Sequence, residues 1–243
     1  MKKENLVKNM MEGAVNLLFP PRCPVCDEPV RIREGDICRS CRGKLMPVRE
    51  PYCFCCGRPL PEEEKEYCRD CSKKRHLYVR GRALYEYESV AASIYRFKYG
   101  GRREYARFFG RAMADGLEGF IRAAAPDGLI PVPVSGRKLY RRGYNQAGLL
   151  AEEIGRKLHI PVYDGIIQRV RDTVPQKSLN VQERQNNLKR AFKIAQNDVK
   201  LSTIIIVDDI YTTGSTVDAV TEVLLQSGVH NIYFITLAVS GRG

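Results

Sequence analysis

Apolar residues recur along the second half of the chain with the two periods that distinguish strands from helices. Short apolar runs predict buried strands at residues 129–134, 203–207 and 231–239. Apolar residues at helical spacing predict helices at residues 145–157 and 216–226. Strands that alternate with helices are typical of an α/β fold with a mostly parallel sheet and helices on both faces. Such sheets bind their ligands at the carboxyl ends of the strands.

The segment before this region carries a strand pattern followed by a helical pattern. Residues 78–87 show the alternation that predicts strands. Two sets of apolar side chains at helical intervals then flank Gly100-Gly101, namely Ile94 and Phe97 before it and Phe108, Phe109 and Met113 after it. The glycine pair therefore predicts a joint between two helices.

The first 20 residues have apolar side chains near helical spacing, and Pro20-Pro21 ends the run. This predicts a short amphipathic helix that packs on the body of the protein, which is commoner than attachment to a membrane or a partner. Glu12, Gly13 and Asn16 interrupt the apolar residues, so the segment does not resemble a secretory signal. Because a secretory signal is not indicated, we expect a cytoplasmic location. No stretch approaches the roughly 18 consecutive apolar residues of a membrane span, so we expect no integral membrane segment.

Nine cysteines, all in the first third of the chain, form an internal repeat. Two Cys-x2-Cys pairs occupy residues 23–41, and the same pattern recurs 30 residues later at residues 53–71. A two-residue gap lets a tight turn aim two thiolates at one metal ion, and two such turns complete a closed tetrahedral zinc site. The predicted ligands of two structural zinc ions are Cys23, Cys26, Cys38, Cys41, Cys53, Cys56, Cys68 and Cys71.

The alternative explanation of the repeat is a framework of disulfides, which would need an oxidising compartment. The expected cytoplasmic location favours zinc. We prefer sequential pairing, in which each half of the repeat closes its own site, to a cross-braced arrangement in which the first and third pairs share an ion. Cys55 is left over and is interpreted as a bystander rather than a substitute ligand. Closed sites of four thiolates hold no reacting water, so this region is predicted to be structural or to dock a partner.

A change of composition after Cys71 divides the chain. Residues 72–75 form a short, polar and basic segment, as in a linker. We therefore expect an N-terminal helix at residues 1–20, a small double zinc ribbon domain at residues 21–75 and the α/β domain at residues 76–243.

The chain is basic, with 40 Lys and Arg against 28 Asp and Glu and a formal net charge of +12. Eight zinc-bound thiolates (−8) and two zinc ions (+4) would lower this charge to +8. The excess is densest at residues 76–110, where basic and aromatic side chains interleave, a composition suited to phosphate contacts and base stacking on single-stranded DNA. The alternative is that these aromatic residues are core and the charges face solvent. The candidate DNA-binding residues are Lys98, Arg102, Arg103 and Arg107.

The apolar strand at residues 203–207 ends in two adjacent carboxylates, Asp208 and Asp209. Two negative charges beside a buried strand require cations or hydroxyl donors nearby. A segment that combines hydroxyl groups with a glycine follows directly before a helix, and it consists of Thr212, Thr213, Gly214, Ser215 and Thr216. Backbone N–H groups, hydroxyls and the helix N-terminus together form a cradle for a phosphate group. The alternative is an ordinary strand-to-helix loop with Thr or Ser as the N-cap.

The run IIIVDDIYTTGST resembles the phosphoribosyl pyrophosphate (PRPP) binding motif of type I phosphoribosyltransferases. The resemblance implies the fold of that class, and it implies that residues 212–216 hold the 5′-phosphate. It also implies that Asp208 and Asp209, the candidate catalytic residues, contact the ribose hydroxyls directly or through magnesium and water. In an enzyme of this kind an acceptor attacks the anomeric carbon of PRPP and displaces magnesium-bound pyrophosphate through a cationic transition state. The sequence shows no acceptor site, so it leaves turnover open.

A basic stretch after the strand at residues 129–134 is the candidate pyrophosphate site. Ser135 and Gly136 can expose backbone donors, and Arg137 or Arg142 can supply positive charge. The alternative is a solvated basic loop. The polar segment from residue 176 to residue 187 is predicted to be a mobile lid over a phosphorylated substrate, with an ordinary surface loop as the alternative.

Further segments resemble the ComF family of phosphoribosyltransferase-like competence proteins. They are FPPRC at 19–23, FKYGGR at 97–102, PVPV at 131–134, GYNQ at 143–146 and the set Arg169, Gln176, Leu179, Arg184, Asn187 and Phe192. The resemblance covers nearly the full chain and implies a function in the internalisation and processing of transforming single-stranded DNA, with a competence helicase as partner. Two alternatives stay open, a true phosphoribosyltransferase with a small-molecule acceptor and a PRPP-sensing regulator without turnover.

Overall fold

A computed structural model of the protein describes residues 20–30, 35–61, 65–170, 191–195 and 200–241. The chain forms two compact units, residues 1–45 and residues 46–243. The helix predicted at residues 1–20 lies outside the described residues except for Pro20, and the lid predicted at residues 176–187 lies wholly outside them.

The first unit contains the first half of the cysteine repeat. The chain folds back at the first cysteine pair, because Cys23 N donates to Glu28 O and Asp27 N donates to Cys23 O, each at 2.8 Å. Asp27 has a φ of 65°, in the left-handed region that such a tight turn requires. Cys23 and Cys41 are buried together with Val30, which forms a small core around the sulfur atoms.

The second unit is built on a four-stranded parallel sheet in the order β1-β6-β5-β2. Its strands are β1 (Arg80–Glu86), β2 (Gly128–Pro131), β5 (Thr203–Tyr211) and β6 (Asn231–Val239). The β-branched residues at the centre of β5 are fully buried, as expected of a parallel strand with both faces covered. The register pairs Pro131 with Val207 and Asp208 with Thr236, so the carboxyl ends of β2, β5 and β6 lie at one edge of the sheet.

Helices cover both faces of this sheet, which confirms the predicted fold class. The helices of the described residues are α1 (Arg69–Lys73), α2 (Tyr87–Tyr99), α3 (Tyr105–Gly116), α4 (Glu118–Ala124), α5 (Gly136–Arg142), α6 (Gln146–Leu158) and α7 (Ser215–Gln226). Phe120 of α4 packs edge-on against Tyr233 of β6. Phe234 follows on β6, so it faces the other way, and it shares a core with Val217 and Val220 of α7. Within the described ranges, no helix is long and apolar enough to cross a membrane.

Two parts of the second unit differ from the sequence-based expectation. The basic stretch after β2 is the helix α5 rather than a loop, because Leu139 N donates to Ser135 O and Gly143, at a φ of 77°, ends the helix in the left-handed region. A short antiparallel pair, β3 (Ile167–Arg169) and β4 (Phe192–Ile194), was not predicted.

The second half of the cysteine repeat belongs to the second unit. Its turn repeats the hydrogen bonds of the first half, because Cys53 N donates to Arg58 O and Gly57 N donates to Cys53 O, each at 2.8 Å. The chain before it runs beside β1, where Val48 N donates to Leu84 O at 2.9 Å. The second ribbon therefore packs on the sheet, and the domain boundary expected near residue 75 stays a prediction.

Candidate phosphate site and metal centres

Each half of the repeat brings four cysteine sulfurs together. The two groups are Cys23, Cys26, Cys38 and Cys41, and Cys53, Cys56, Cys68 and Cys71, with the sulfur atoms of each group within 4.8 Å of one another. The Sγ atoms of Cys26 and Cys38 lie 3.7 Å apart, and so do those of Cys56 and Cys68. Sulfurs about 2.3 Å from a tetrahedral zinc ion are separated by about 3.8 Å, so both groups fit zinc. The sulfurs are grouped as sequential pairing predicts, and not as the cross-braced alternative predicts.

Cys55 lies beside the second group. Cys55, Cys71 and His76 have ligand atoms within 4.8 Å of one another. This third group shares Cys71 with the second zinc site, and His76 Nδ1 lies 3.0 Å from each carboxylate oxygen of Asp218. The interpretation of Cys55 as a bystander stays a prediction.

The two adjacent carboxylates lie at the carboxyl end of β5. Asp209 N donates to Asp208 Oδ1 at 2.8 Å, and Lys98 Nζ at the end of α2 lies 2.8 Å from Asp209 Oδ1. Burial, together with the charge of Asp209, raises the pKa of Asp208 to about 7. Burial opposes the charged form of Lys98, but the charge and hydrogen bond of Asp209 outweigh it and raise the pKa of Lys98. Asp209 is therefore paired with Lys98, whereas the charges of Lys98 and Arg169 only partly offset the burial of Asp208.

The loop after β5 forms a tight turn into α7. Gly214 has a φ of 74°, and a Cβ atom there would lie 2.5 Å from Tyr211 Oη, so only glycine fits without a shift. Thr213 Oγ1 lies 2.9 Å from Ser215 Oγ, and Thr212 and Thr213 are exposed. The loop thus presents hydroxyl groups and the first N–H groups of a 12-residue helix at the edge where the carboxylates lie.

The candidate pyrophosphate residues follow β2. Ser135 is the N-cap of α5, and Gly136 and Arg137 are exposed in its first turn. Arg142 Nη1 donates to Gln146 Oε1 at 2.7 Å. Three buried polar atoms near this strand end find no hydrogen-bond partner among the described residues, and they are Ser135 Oγ, Asn145 Oδ1 and Gln146 Nε2. A buried polar atom without a hydrogen bond destabilises the folded state. A polar ligand that bound here could supply the missing partners.

The candidate DNA-binding residues divide into two groups. Lys98 is directed at Asp209, so its ammonium group lies at the carboxyl end of β5. Arg103 and Arg107 are exposed, and Arg102 lies 3.8 Å from an oxygen of Glu104. The neighbouring aromatic residues divide as well: Phe97 and Phe109 are fully buried, whereas Tyr95 and Tyr99 are 66% and 60% exposed with ring centroids 5.2 Å apart.

The sequence patterns did not indicate that the second ribbon reaches the candidate phosphate loop, which consists of residues 212–216. Arg58 Nη2 donates to the carbonyl oxygen of Thr212 at 2.6 Å. Lys74 and His76 both pair with Asp218 in the first turns of α7. Burial opposes the charged form of Asp218, but these two partners outweigh it and lower the pKa of Asp218. The signal available in the sequence was the difference between the two halves of the repeat, since Glu28 occupies the position of Arg58.

Comparisons with known proteins agree with this architecture. The double zinc ribbon domain family matches residues 14–72, and the phosphoribosyl transferase domain family matches residues 141–243. The fold and the sites therefore define a double zinc ribbon joined to a phosphoribosyltransferase-type domain.

Among relatives, competence protein F of Haemophilus influenzae is 36% identical over 157 residues, which are 62% of this chain and 68% of that protein. Competence protein ComFC of Bacillus subtilis is 31% identical over 210 residues, which are 85% of this chain and 72% of that protein. The chain belongs to this family, the ComF family. It also matches about half the length of DNA utilization protein YhgH of Escherichia coli, with 39% identity over 107 residues, 44% of this chain and 47% of that protein.

Proposed function

We propose that this protein binds PRPP with magnesium and acts, as a ComF-type protein, in the uptake and processing of transforming single-stranded DNA in the cytoplasm. The observation that carries the PRPP proposal is the position of Asp208 and Asp209 directly before the loop of residues 212–216, at the carboxyl edge of the sheet. The names of the relatives, competence protein F, ComFC and DNA utilization protein YhgH, support the connection with DNA.

The strand end and the loop would hold the ribose 5-phosphate part of PRPP. The 5′-phosphate would accept hydrogen bonds from the first N–H groups of α7 and from the hydroxyls of Thr213 and Ser215. Asp208 and Asp209 would accept hydrogen bonds from the ribose hydroxyls or hold magnesium through its water ligands. Magnesium would add positive charge beside Asp208, whose pKa is raised by burial and by the charge of Asp209.

The pyrophosphate part would lie at the end of β2. Ser135 Oγ and Gln146 Nε2 are buried donors without a partner among the described residues, and Arg142 is held beside them by its hydrogen bond to Gln146. Arginine suits this position because its planar group donates two hydrogen bonds to phosphate oxygens. Arg137, exposed in α5, would add charge at the rim.

Calorimetric titration with PRPP and magnesium tests this site. We expect Asp208→Asn combined with Asp209→Asn to weaken binding by about 100-fold or more, because two charge-assisted contacts are lost. Asp115→Asn, on the surface of α3, should leave binding unchanged. No binding by the wild-type protein, or equal binding by the double variant, would refute the proposal. Pyrophosphate release with candidate acceptors then separates turnover from binding alone.

Single-stranded DNA would bind where Tyr95 and Tyr99 are exposed on α2, since every base can stack on an aromatic ring. The Arg142 guanidinium lies 4.9 Å from the centre of the Tyr99 ring and adds positive charge there. We expect Tyr95→Ala with Tyr99→Ala to weaken binding of a labelled strand at all salt concentrations.

The basic residues give a second test of the DNA surface. Replacing Arg102, Arg103 and Arg107 with Ala should weaken binding and also reduce its dependence on salt. Arg122→Ala on α4 is the matched control and should change neither quantity. Unaltered affinity in the triple variant would remove these residues from the proposed surface.

A further inference from the structure

One arginine connects the second zinc site with the phosphate loop. Arg58 is buried, and its Nη2 donates to Thr212 O at 2.6 Å across 154 residues of sequence. Its Nη1 donates to Asp70 Oδ2 at 2.7 Å and lies 4.0 Å from the sulfur of Cys68. A single guanidinium group therefore spans from a zinc ligand to the backbone of the loop.

Two residues that follow the second ribbon hold the helix that comes after the loop. Lys74 and His76, shortly after the last cysteine of the ribbon, both pair with the carboxylate of Asp218, and the His76 side chain is only 2% exposed. His76 also closes the space at the turn, because a Cβ atom on Gly214 would lie 2.9 Å from His76 Cε1. The loop is thus fixed from the ribbon side at both of its ends.

The first half of the repeat has Lys44 at the position of Lys74 but lacks counterparts of Arg58 and His76. A shift of 30 residues aligns the two halves of the repeat and places Glu28 at the position of Arg58. A glutamate carboxylate has no N–H group to donate to a carbonyl oxygen. The same shift places Met46 at the position of His76. The two halves of the repeat therefore share their ligand spacing but differ at the positions of Arg58 and His76.

We propose that the second zinc ribbon is a positioning element of the phosphate site, whereas the first ribbon is not. A zinc ion with four thiolates carries a charge of −2, and Arg58 beside it partly balances that charge. The metal centre thereby holds Arg58, and Arg58 holds Thr212 and the loop in the shape that receives a 5′-phosphate. Loss of the second zinc ion then lowers phosphate affinity. The ligand in this inference rests on the proposed function, but the coupling of ribbon and loop does not.

Arg58→Met and Glu28→Met form a matched pair, because they introduce the same side chain at equivalent positions. Both variants should retain two zinc ions per chain. Amide hydrogen exchange across residues 212–218 should accelerate about tenfold in Arg58→Met, as expected for one lost hydrogen bond to a charged group, and should be unchanged in Glu28→Met. Arg58→Lys should restore part of the protection, since one ammonium group cannot reach both partners in the geometry of the fork. It also replaces Arg58→Met if that variant fails to fold.

Ligand binding separates positioning from general destabilisation. In Arg58→Met the affinities for PRPP and ribose 5-phosphate should fall by the same factor, about tenfold, while the affinity for magnesium pyrophosphate is unchanged. Unchanged exchange in Arg58→Met, equal acceleration in Glu28→Met, or equal weakening of pyrophosphate would overturn the inference. If the wild-type protein binds no PRPP but Arg58→Met still loosens the loop, the proposed function fails and this coupling stands. If the wild-type protein binds PRPP and Arg58→Met binds it equally well, the role of the second ribbon in positioning the phosphate site is refuted and the proposed function stands.

Discussion

Lys98 at the end of α2 and Asp209 at the end of β5 form an ion pair at 2.8 Å, with side chains that are 19% and 12% exposed. Lys98 is thus a counter-ion for Asp209 within the chain. The two adjacent carboxylates, Asp208 and Asp209, are therefore not equivalent. Asp209 is neutralised within the chain, whereas Asp208 has a pKa raised to about 7 by burial and by the charge of Asp209. The charges of Lys98 and Arg169 only partly offset the rise in the pKa of Asp208.

Removal of the Lys98 charge should destabilise the protein because it leaves Asp209 buried without a partner. We expect Lys98→Met to lower the free energy of unfolding by about 2–4 kcal/mol. Adding Asp209→Asn should restore much of that loss, which a double-mutant cycle in urea measures. Lys157→Met, which breaks an exposed pair with Asp115, should cost less than about 1 kcal/mol. Equal losses for the two lysine variants, or no rescue, would contradict this account of the pair.

Ionisation of Asp208 should destabilise the folded protein as pH rises. A carboxylate in a salt bridge has the opposite effect. The folded protein binds the Asp208 proton more tightly than the unfolded chain, so the free energy of unfolding falls as pH rises from about 4 to about 7 and levels off above. Asp208→Asn should therefore be more stable than the wild type at pH 8 by roughly 1–3 kcal/mol, and its advantage should shrink as pH falls.

Asp127 is the control of opposite sign for this pH dependence. It accepts hydrogen bonds from Thr203 N and Ser202 N, and these lower its pKa. Its contribution to the free energy of unfolding is present at neutral pH and is lost as pH falls through the lowered pKa. Asp127→Asn should thus be less stable than the wild type at pH 8. Thermal unfolding at several pH values measures both variants, and a loss of stability in Asp208→Asn at pH 8 would contradict the raised pKa.

Alanine substitutions at Gly214 and Gly101 distinguish the energetic cost of a left-handed backbone from that of steric crowding. Both have positive φ, 74° and 67°, but a Cβ atom on Gly214 would meet Tyr211 Oη and His76, whereas at Gly101 nothing lies within 4 Å. Gly101→Ala should cost about 1 kcal/mol for the backbone conformation alone. Gly214→Ala should cost at least about twice as much and weaken PRPP binding. Equal effects of the two variants on stability and binding would show that the loop accommodates a side chain.

The sheet was predictable because its buried strands are unbroken apolar runs, as at residues 203–207. The three-residue strands β3 and β4 are too short to show a period, which is why the antiparallel pair was missed. Lys98 was assigned to the basic surface because its neighbours in sequence are basic and aromatic. Its partner Asp209 lies 111 residues away, and only the fold brings the two together. The sequence indicated which residues carry the chemistry of the loop, but not which distant side chains support them.

Zinc content tests the two four-cysteine sites separately. Wild-type protein should contain two zinc ions per chain, because each group of sulfurs has the spacing of a closed tetrahedral site. Cys26→Ser and Cys56→Ser should each lose one ion, and Cys55→Ser should keep both if Cys55 is a bystander. Chelation should destabilise the second unit in particular, since Cys53, Cys56 and Cys68 share one core with residues of the sheet and α7. Fewer than two ions in carefully prepared wild-type protein, or loss of an ion from Cys55→Ser, would contradict this assignment of ligands.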